Sequence, residues 1–120
     1  MATGVSTTRA NAMLDTITTP HVKLHTGDPG AAGTANASAE TDRLSITLAA
    51  AASGTRTMSS AVSWTNWTAG TETITHVSVW DDISAGAFQF SVALSNTTNV
   101  NNTETFTLQT LGISVLSIAA

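Results

Sequence analysis

Apolar residues that return at every second position constrain this chain more than any other feature. Phe88, Phe90, Val92 and Leu94 are separated by Gln89, Ser91 and Ala93, which places four bulky side chains on one face of an extended strand. The same period runs through His21 to His25, with Val22 and Leu24 together, and through Arg43 to Leu48, with Leu44, Ile46 and Leu48 inward. Met58 to Trp64 and Thr73 to Asp81 read as further strands. In the second, Val77 and Val79 share one face while Ile74, His76 and Trp80 share the other. Bulk on both faces predicts a central strand or one at a subunit contact. The last strand is expected from about Glu104 to Ile118. Phe106 and Leu108 set one phase, and Leu111, Ile113 and Val115 the opposite one, so a β-bulge is expected near Thr110-Leu111.

Only one segment carries helical spacing. Ser6 or Thr7 can cap a helix to about Ile17, with Met13, Leu14 and Ile17 on one face. Thr18-Thr19-Pro20 ends it, because the residue before proline is pushed out of the helical region. Residues 27 to 41 form a long loop with Gly27, Gly30, Gly33 and Pro29, a length that marks a functional or mobile connection. Residues 95 to 103 read as a polar loop. The predicted architecture is all-β, an antiparallel β-sandwich or jelly-roll-like fold with one short N-terminal helix. Residues 1 to 5 are expected to be a flexible arm and residues 6 to 120 a single domain.

Composition narrows the function. The chain lacks cysteine, which excludes disulfides and thiolate chemistry. Net charge is −4, and the basic residues Arg9, Lys23, Arg43 and Arg56 are scattered. Binding to nucleic acid requires clustered cations, so no nucleic-acid partner is expected. No apolar run reaches a membrane span, and the first residues lack the basic and apolar regions of a signal peptide, so none is expected. Charged residues make up 10% of the sequence, against about 25% in an ordinary soluble domain; Ser and Thr fill the gap. A surface so poor in charge lacks the repulsion that keeps monomers apart, which suits a subunit of an assembly.

Catalytic candidates are few. His25 and Asp28, in His25-Thr26-Gly27-Asp28-Pro29-Gly30, have the chemistry of a base and its orienter or of two metal ligands. Asp-Pro-Gly is also a turn sequence, which is the simpler reading. His76 and Ser78 share a strand face, but two groups on one strand do not make a triad. Asp81-Asp82 closes a strand before a turn and lacks the ligand pattern of a calcium loop. Trp64 and Trp67 are candidates for an exposed, sugar-stacking surface. The apolar end containing Leu116 and Ile118 is a candidate for docking against a neighbour. No cofactor or metal is expected.

The stretch Leu24-His25-Thr26-Gly27-Asp28-Pro29-Gly30-Ala31-Ala32-Gly33-Thr34-Ala35-Asn36 resembles the "LHTGDPG…GTAN" signature of small virion proteins of tailed bacteriophages, especially those of actinobacteria. Thr75 to Asp81 is similar to their "THxxxWD" strand. The resemblance covers about residues 10 to 118. The sequence departs from it at Ala37, where an acidic residue is common, and at Asn102 to Glu104, which replace a Gly-Asp turn. The resemblance implies a non-enzymatic virion subunit in which His25, Asp28, Pro29, Gly30, His76, Trp80 and Asp81 are framework, holding the long loop against the sheet.

Two roles follow from it. The first is a minor capsid or decoration protein on the outside of the icosahedral head, stabilising capsomer contacts, with the major capsid protein and copies of itself as partners, as a homotrimer. The alternative is a tail-fibre or tail-tip domain that contacts tail proteins or a host surface glycan. Either places the protein in the virion after synthesis in the host cytoplasm.

Overall fold

A computed structural model describes residues 4–65, 67–114, 118 and 119, the last two by backbone alone. Helix α1 (Thr7–Asp15) starts where Ser6, in extended conformation, accepts the backbone N–H of Arg9 on its hydroxyl. That bond satisfies one of the donors a helix start leaves free. Ala10, Leu14 and, beyond the helix, Ile17 are buried, while Met13 is 49% exposed. Met13 therefore lies off the buried face on which the sequence placed it. The helix end is closed from a distance. Arg56 donates to the carbonyls of Leu14 (2.9 Å), which also accepts the N–H of Ile17, and of Ile17 (2.6 Å), just beyond the helix.

Four strands form the main sheet, in the order β3-β2-β6-β7 and antiparallel throughout. They are β2 (His21–His25), β3 (Leu44–Ser45), β6 (Glu72–Trp80) and β7 (Phe88–Val100). Val22, Leu24, Val77 and Val79 alternate inward and are fully buried. Opposite them lie short two-stranded ladders. β4 (Thr55–Thr57) pairs with β9 (Gly112–Ser114), and β5 (Val62–Trp64) pairs with β8 (Phe106–Leu108). Met58, Trp64, Phe106, Leu108 and Leu111 enter the same core from this side. Trp64 and Phe106 face each other in register, with ring centroids 5.8 Å apart at a tilted angle, a favourable aromatic arrangement. The fold is thus all-β with one short helix, and its second layer is a set of ladders, not a continuous sheet.

Several expectations need correction. Residue Val5, assigned to the arm, pairs in parallel with Ile118 as β1 (Val5–Ser6) against β10 (Ile118–Ala119). Residues 95 to 100, read as loop, continue β7, with Glu72 opposite Val100 and Thr73 opposite Asn99. Threonine suits a strand, and the Thr73 hydroxyl donates to the Asn99 side chain. The step from Ile74 to His76 faces the longer step from Thr98 back to Ala93. This irregularity changes the phase of β6, so Ile74 joins the core with Val77 and does not share the face of His76 and Trp80. The expected bulge in the last strand is instead a change of partner. Phe106 to Leu108 pairs with β5 and Gly112 to Ser114 with β4.

Candidate functional site

The polar face of β2 and β6 carries most of the residues singled out in the sequence. Because Val22 and Leu24 point into the core, Lys23 and His25 take the other side of β2. The register sets His25 opposite His76, which makes Ser78 a diagonal neighbour on the same face. His25 and Ser78 are both 0% exposed. Nε2 of His25 lies 2.7 Å from the Ser78 hydroxyl oxygen, Nδ1 lies 2.8 Å from the carbonyl of Ala35, and the Trp80 indole N–H donates to the same Ser78 oxygen at 2.8 Å. Burial pushes the His25 pKa down, with the positive charge of Lys23 acting in the same direction and the backbone hydrogen bonds opposing.

The long loop covers this face because its own residues brace it. Asp28 accepts the N–H of Gly30 at 2.8 Å, as an Asp in a turn does. Asn36 donates to the Asp28 carbonyl at 2.9 Å, and Ala35 donates to the Pro29 carbonyl at 2.9 Å. Pro29 is fully buried. At the loop's far end Ser38 donates to one oxygen of Glu72 at 2.5 Å, and the Ala39 N–H donates to the other at 3.1 Å. Gly33, at φ +74°, lies against the ring of Phe88, where a Cβ would overlap the aromatic carbons. Phe88 in turn packs on Trp80 at 5.5 Å between centroids, and the Arg43 guanidinium lies 4.3 Å over the Trp80 ring, within the range of cation–π attraction.

The turn after β6 is organised by its acids. Asp81 accepts the N–H of Ala87 at 2.7 Å, and its carbonyl accepts the Thr19 hydroxyl at 2.8 Å. Asp82 accepts the N–H groups of Ser84 and Ala85, which hold its carboxyl below the usual pKa. Arg43 donates to the carbonyls of Asp82 and Ala85.

The structure therefore gathers His25, Asp28, Pro29, Gly30 and Trp80 around one loop–sheet contact, with Asp81 at its border. His76 stands beside this cluster. Its Nδ1 lies 2.8 Å from the Thr75 hydroxyl. Sequence spacing paired Ser78 with His76, whereas the fold pairs it with His25. Sequence alone could not find that bond, because it depends on the β2–β6 register. A serine and a histidine 2.7 Å apart have the spacing of nucleophile and base. Here the imidazole's other partner is a backbone carbonyl, and both side chains are sealed beneath the loop. Among the described residues, no group of three or more His, Cys, Asp or Glu is placed to hold a metal ion.

The proposed sugar platform needs correction. Trp64 is 3% exposed and Trp67 is 0% exposed. Their indole N–H groups donate inward, to the carbonyls of Asp42 (3.0 Å) and Gly70 (2.8 Å). Neither ring presents a face to a ligand, since the core needed their bulk. Leu116 lies outside the described residues, and of Ile118 only the backbone pairing with Val5 is described. No described helix is long and apolar enough to cross a membrane.

A concavity of a different kind opens between β7 and the segment 106–111. It has a volume of about 480 Å³ and is floored by Val77, Val92, Leu94, Phe106, Leu108 and Leu111. The sequence reading did not single it out.

Comparison with curated proteins gave no match. Residues 4–115, which include the loop, the main sheet and the strand pairs β4·β9 and β5·β8, match the family model described as podophage GP4 fiber I protein gp80. The chain belongs to this phage fibre family and is a structural component of a phage virion.

Proposed function

We propose that the protein is a non-enzymatic building domain of a phage tail fibre, held in the particle by contacts with neighbouring tail proteins and with copies of itself. The observation that carries this reading is the match of residues 4–115 to a fibre family. It favours the tail over the exterior of the head, and the expected role as a capsid decoration protein gives way to it.

The geometry supports a scaffold. The one close Ser–His pair described above is enclosed and is spent on fixing a loop. His25, Asp28, Pro29, Gly30 and Trp80 would then act by keeping that loop rigid, so that its outer surface has one shape for its neighbours. The low charge of the chain suits surfaces that are covered after assembly.

Immunogold labelling of intact virions with antibodies to this protein tests the reading. Gold on tail fibres is expected. Gold distributed over the head surface would overturn it.

A further inference from the structure

The groove between β7 and the segment 106–111 lies where both of its walls leave regular pairing. In the β6–β7 ladder Ile74 faces Thr98 and His76 faces Ala93, so Leu94 to Thr97 stand opposite Thr75 alone. A bulge of this kind re-aims side chains, and bulges concentrate beside functional sites. Ser95, Asn96 and Thr98 line the groove from it. The other wall includes residues 109 to 111, which lie in no strand, at the point where the chain leaves β5 for β4. Gln109 and Thr110 line the groove from there.

The polar side chains of this region divide by what they bond. Asn99 accepts the Thr73 hydroxyl, Asn101 accepts that of Thr71 at 2.8 Å, and Asn102 accepts the Gly70 N–H at 2.9 Å. Thr107 shares a hydrogen bond with Ser63. The side chains of Ser95, Asn96, Thr98, Gln109 and Thr110 make no hydrogen bond among the described residues, and all five are exposed along the groove. Open donors and acceptors therefore ring an apolar floor.

These features select the ligand. No lining residue carries a charge, so an ion entering the groove would lose water without gaining a partner. A wholly apolar ligand would match the floor but strip water from the amides and hydroxyls of the rim. A partner β-strand needs an unbroken row of backbone groups, and the bulge interrupts that row at Leu94 to Thr97. A pyranose ring meets the same surface with an apolar C–H face and with hydroxyls at its edge that both donate and accept. The carboxamides of Asn96 and Gln109, one on each wall, also donate and accept together. The groove's volume of about 480 Å³ falls among ligand pockets, which span roughly 300–1,000 Å³.

We propose that this groove binds an uncharged saccharide, its C–H face on the apolar floor and its hydroxyls held by Asn96 and Gln109. The site is distinct from the buried tryptophans. No carboxylate lines it, so it holds the sugar without the paired acids that cleave a glycosidic bond. This site goes beyond the placement in the fibre and does not depend on it.

Amide NMR of the isotope-labelled full chain tests it, with lactose, maltose, cellobiose and di-N-acetylchitobiose as probes at millimolar concentration. At least one is expected to shift the backbone signals of residues 94–98 and 107–111 together with the side-chain amide signals of Asn96 and Gln109. The binding should be insensitive to salt, as an uncharged contact is. Asn96→Ala and Gln109→Ala should each weaken it about tenfold, the effect of losing one or two hydrogen bonds, with circular dichroism and melting unchanged. Ser60→Ala, outside the groove, should leave it unaltered. A capped, uncharged peptide of alternating Val and Thr serves as the rival occupant. No shift with any of the disaccharides, shifts that map elsewhere, tighter binding of the peptide in the groove, or folded Asn96→Ala and Gln109→Ala proteins that bind as tightly as the parent would overturn the proposal. None of these results bears on where antibodies label the virion, so the two readings fail separately.

Discussion

Nε2 of His25 lies 2.7 Å from the Ser78 hydroxyl oxygen, across the β2–β6 ladder and wholly out of contact with solvent. The hydrogens in this contact are determined by chemistry. The Trp80 indole can only donate, and the Ala35 carbonyl can only accept. His25 therefore carries a proton on Nδ1, and with Ser78 accepting from Trp80 and donating to Nε2 of the neutral ring each of these groups has a partner. Burial favours the neutral imidazole, and in that form each polar side-chain atom of this hydrogen-bonded group has a partner.

Removing the shared oxygen should be costly. Ser78→Ala leaves the imidazole Nε2 and the indole N–H buried without partners. Each orphaned group costs about 1–3 kcal/mol. Urea unfolding should show a clear fall in midpoint with an unchanged slope, and an unaltered midpoint would mean the contact contributes nothing to stability.

The same contact predicts a pH dependence. Burial lowers the His25 pKa in the folded protein relative to the unfolded chain. Between the two values the unfolded state binds the proton and the folded state does not, so stability rises with pH. The contribution is fully present above the ordinary histidine pKa of about 6.5 and is lost as pH falls from there toward the lowered folded value. Melting curves from pH 7.5 down to 5 should show a steeper loss for the parent than for His25→Gln. Parallel curves would contradict the assignment.

Gly33 and Gly70 separate two effects of a side chain on a left-handed backbone. Both have positive φ, +74° and +82°, but a Cβ on Gly33 would strike the Phe88 ring whereas one on Gly70 meets nothing within 4 Å. Gly70→Ala should cost about 1–2 kcal/mol from backbone conformation alone. Gly33→Ala should cost a further 1–3 kcal/mol or so, the usual effect of forcing atoms into a packed contact. Chemical denaturation of the two variants gives the comparison, and equal losses would show that the loop does not press on Phe88.

Trp67 is core, and its variants should behave accordingly. Trp67→Ala should lose about 3–5 kcal/mol, as large-to-small changes of buried aromatics do. Tryptophan emission of the parent should be blue-shifted and poorly quenched by iodide. A stable Trp67→Ala protein would contradict the burial.

Much of this architecture is legible in period-two spacing. Val22 and Leu24, Val77 and Val79, and Phe88 to Leu94 lie on the strands their spacing predicts, and Ser6 caps the helix that follows it. What escapes the sequence is what depends on a distant partner. Thr98 and Asn99 look like loop residues until Ile74 and Thr73 pair with them. The phase change between Leu108 and Leu111 is visible, yet its meaning lies in β8 and β9 belonging to different ladders. Trp64 and Trp67, three positions apart on either side of the expected strand end, look exposed, because nothing local shows that the Asp42 and Gly70 carbonyls await their N–H groups. The candidate site was legible by residue and not by bond. His25, Asp28 and Trp80 stood out, but Ser78 joins His25 only through the β2–β6 register.

A cryo-electron microscopy reconstruction of the intact particle tests the central claim most directly. The account predicts that this fold fits density within the tail fibres, with the His25 loop ordered against its sheet. Density for it on the outer surface of the head, and none in the fibres, would contradict the account.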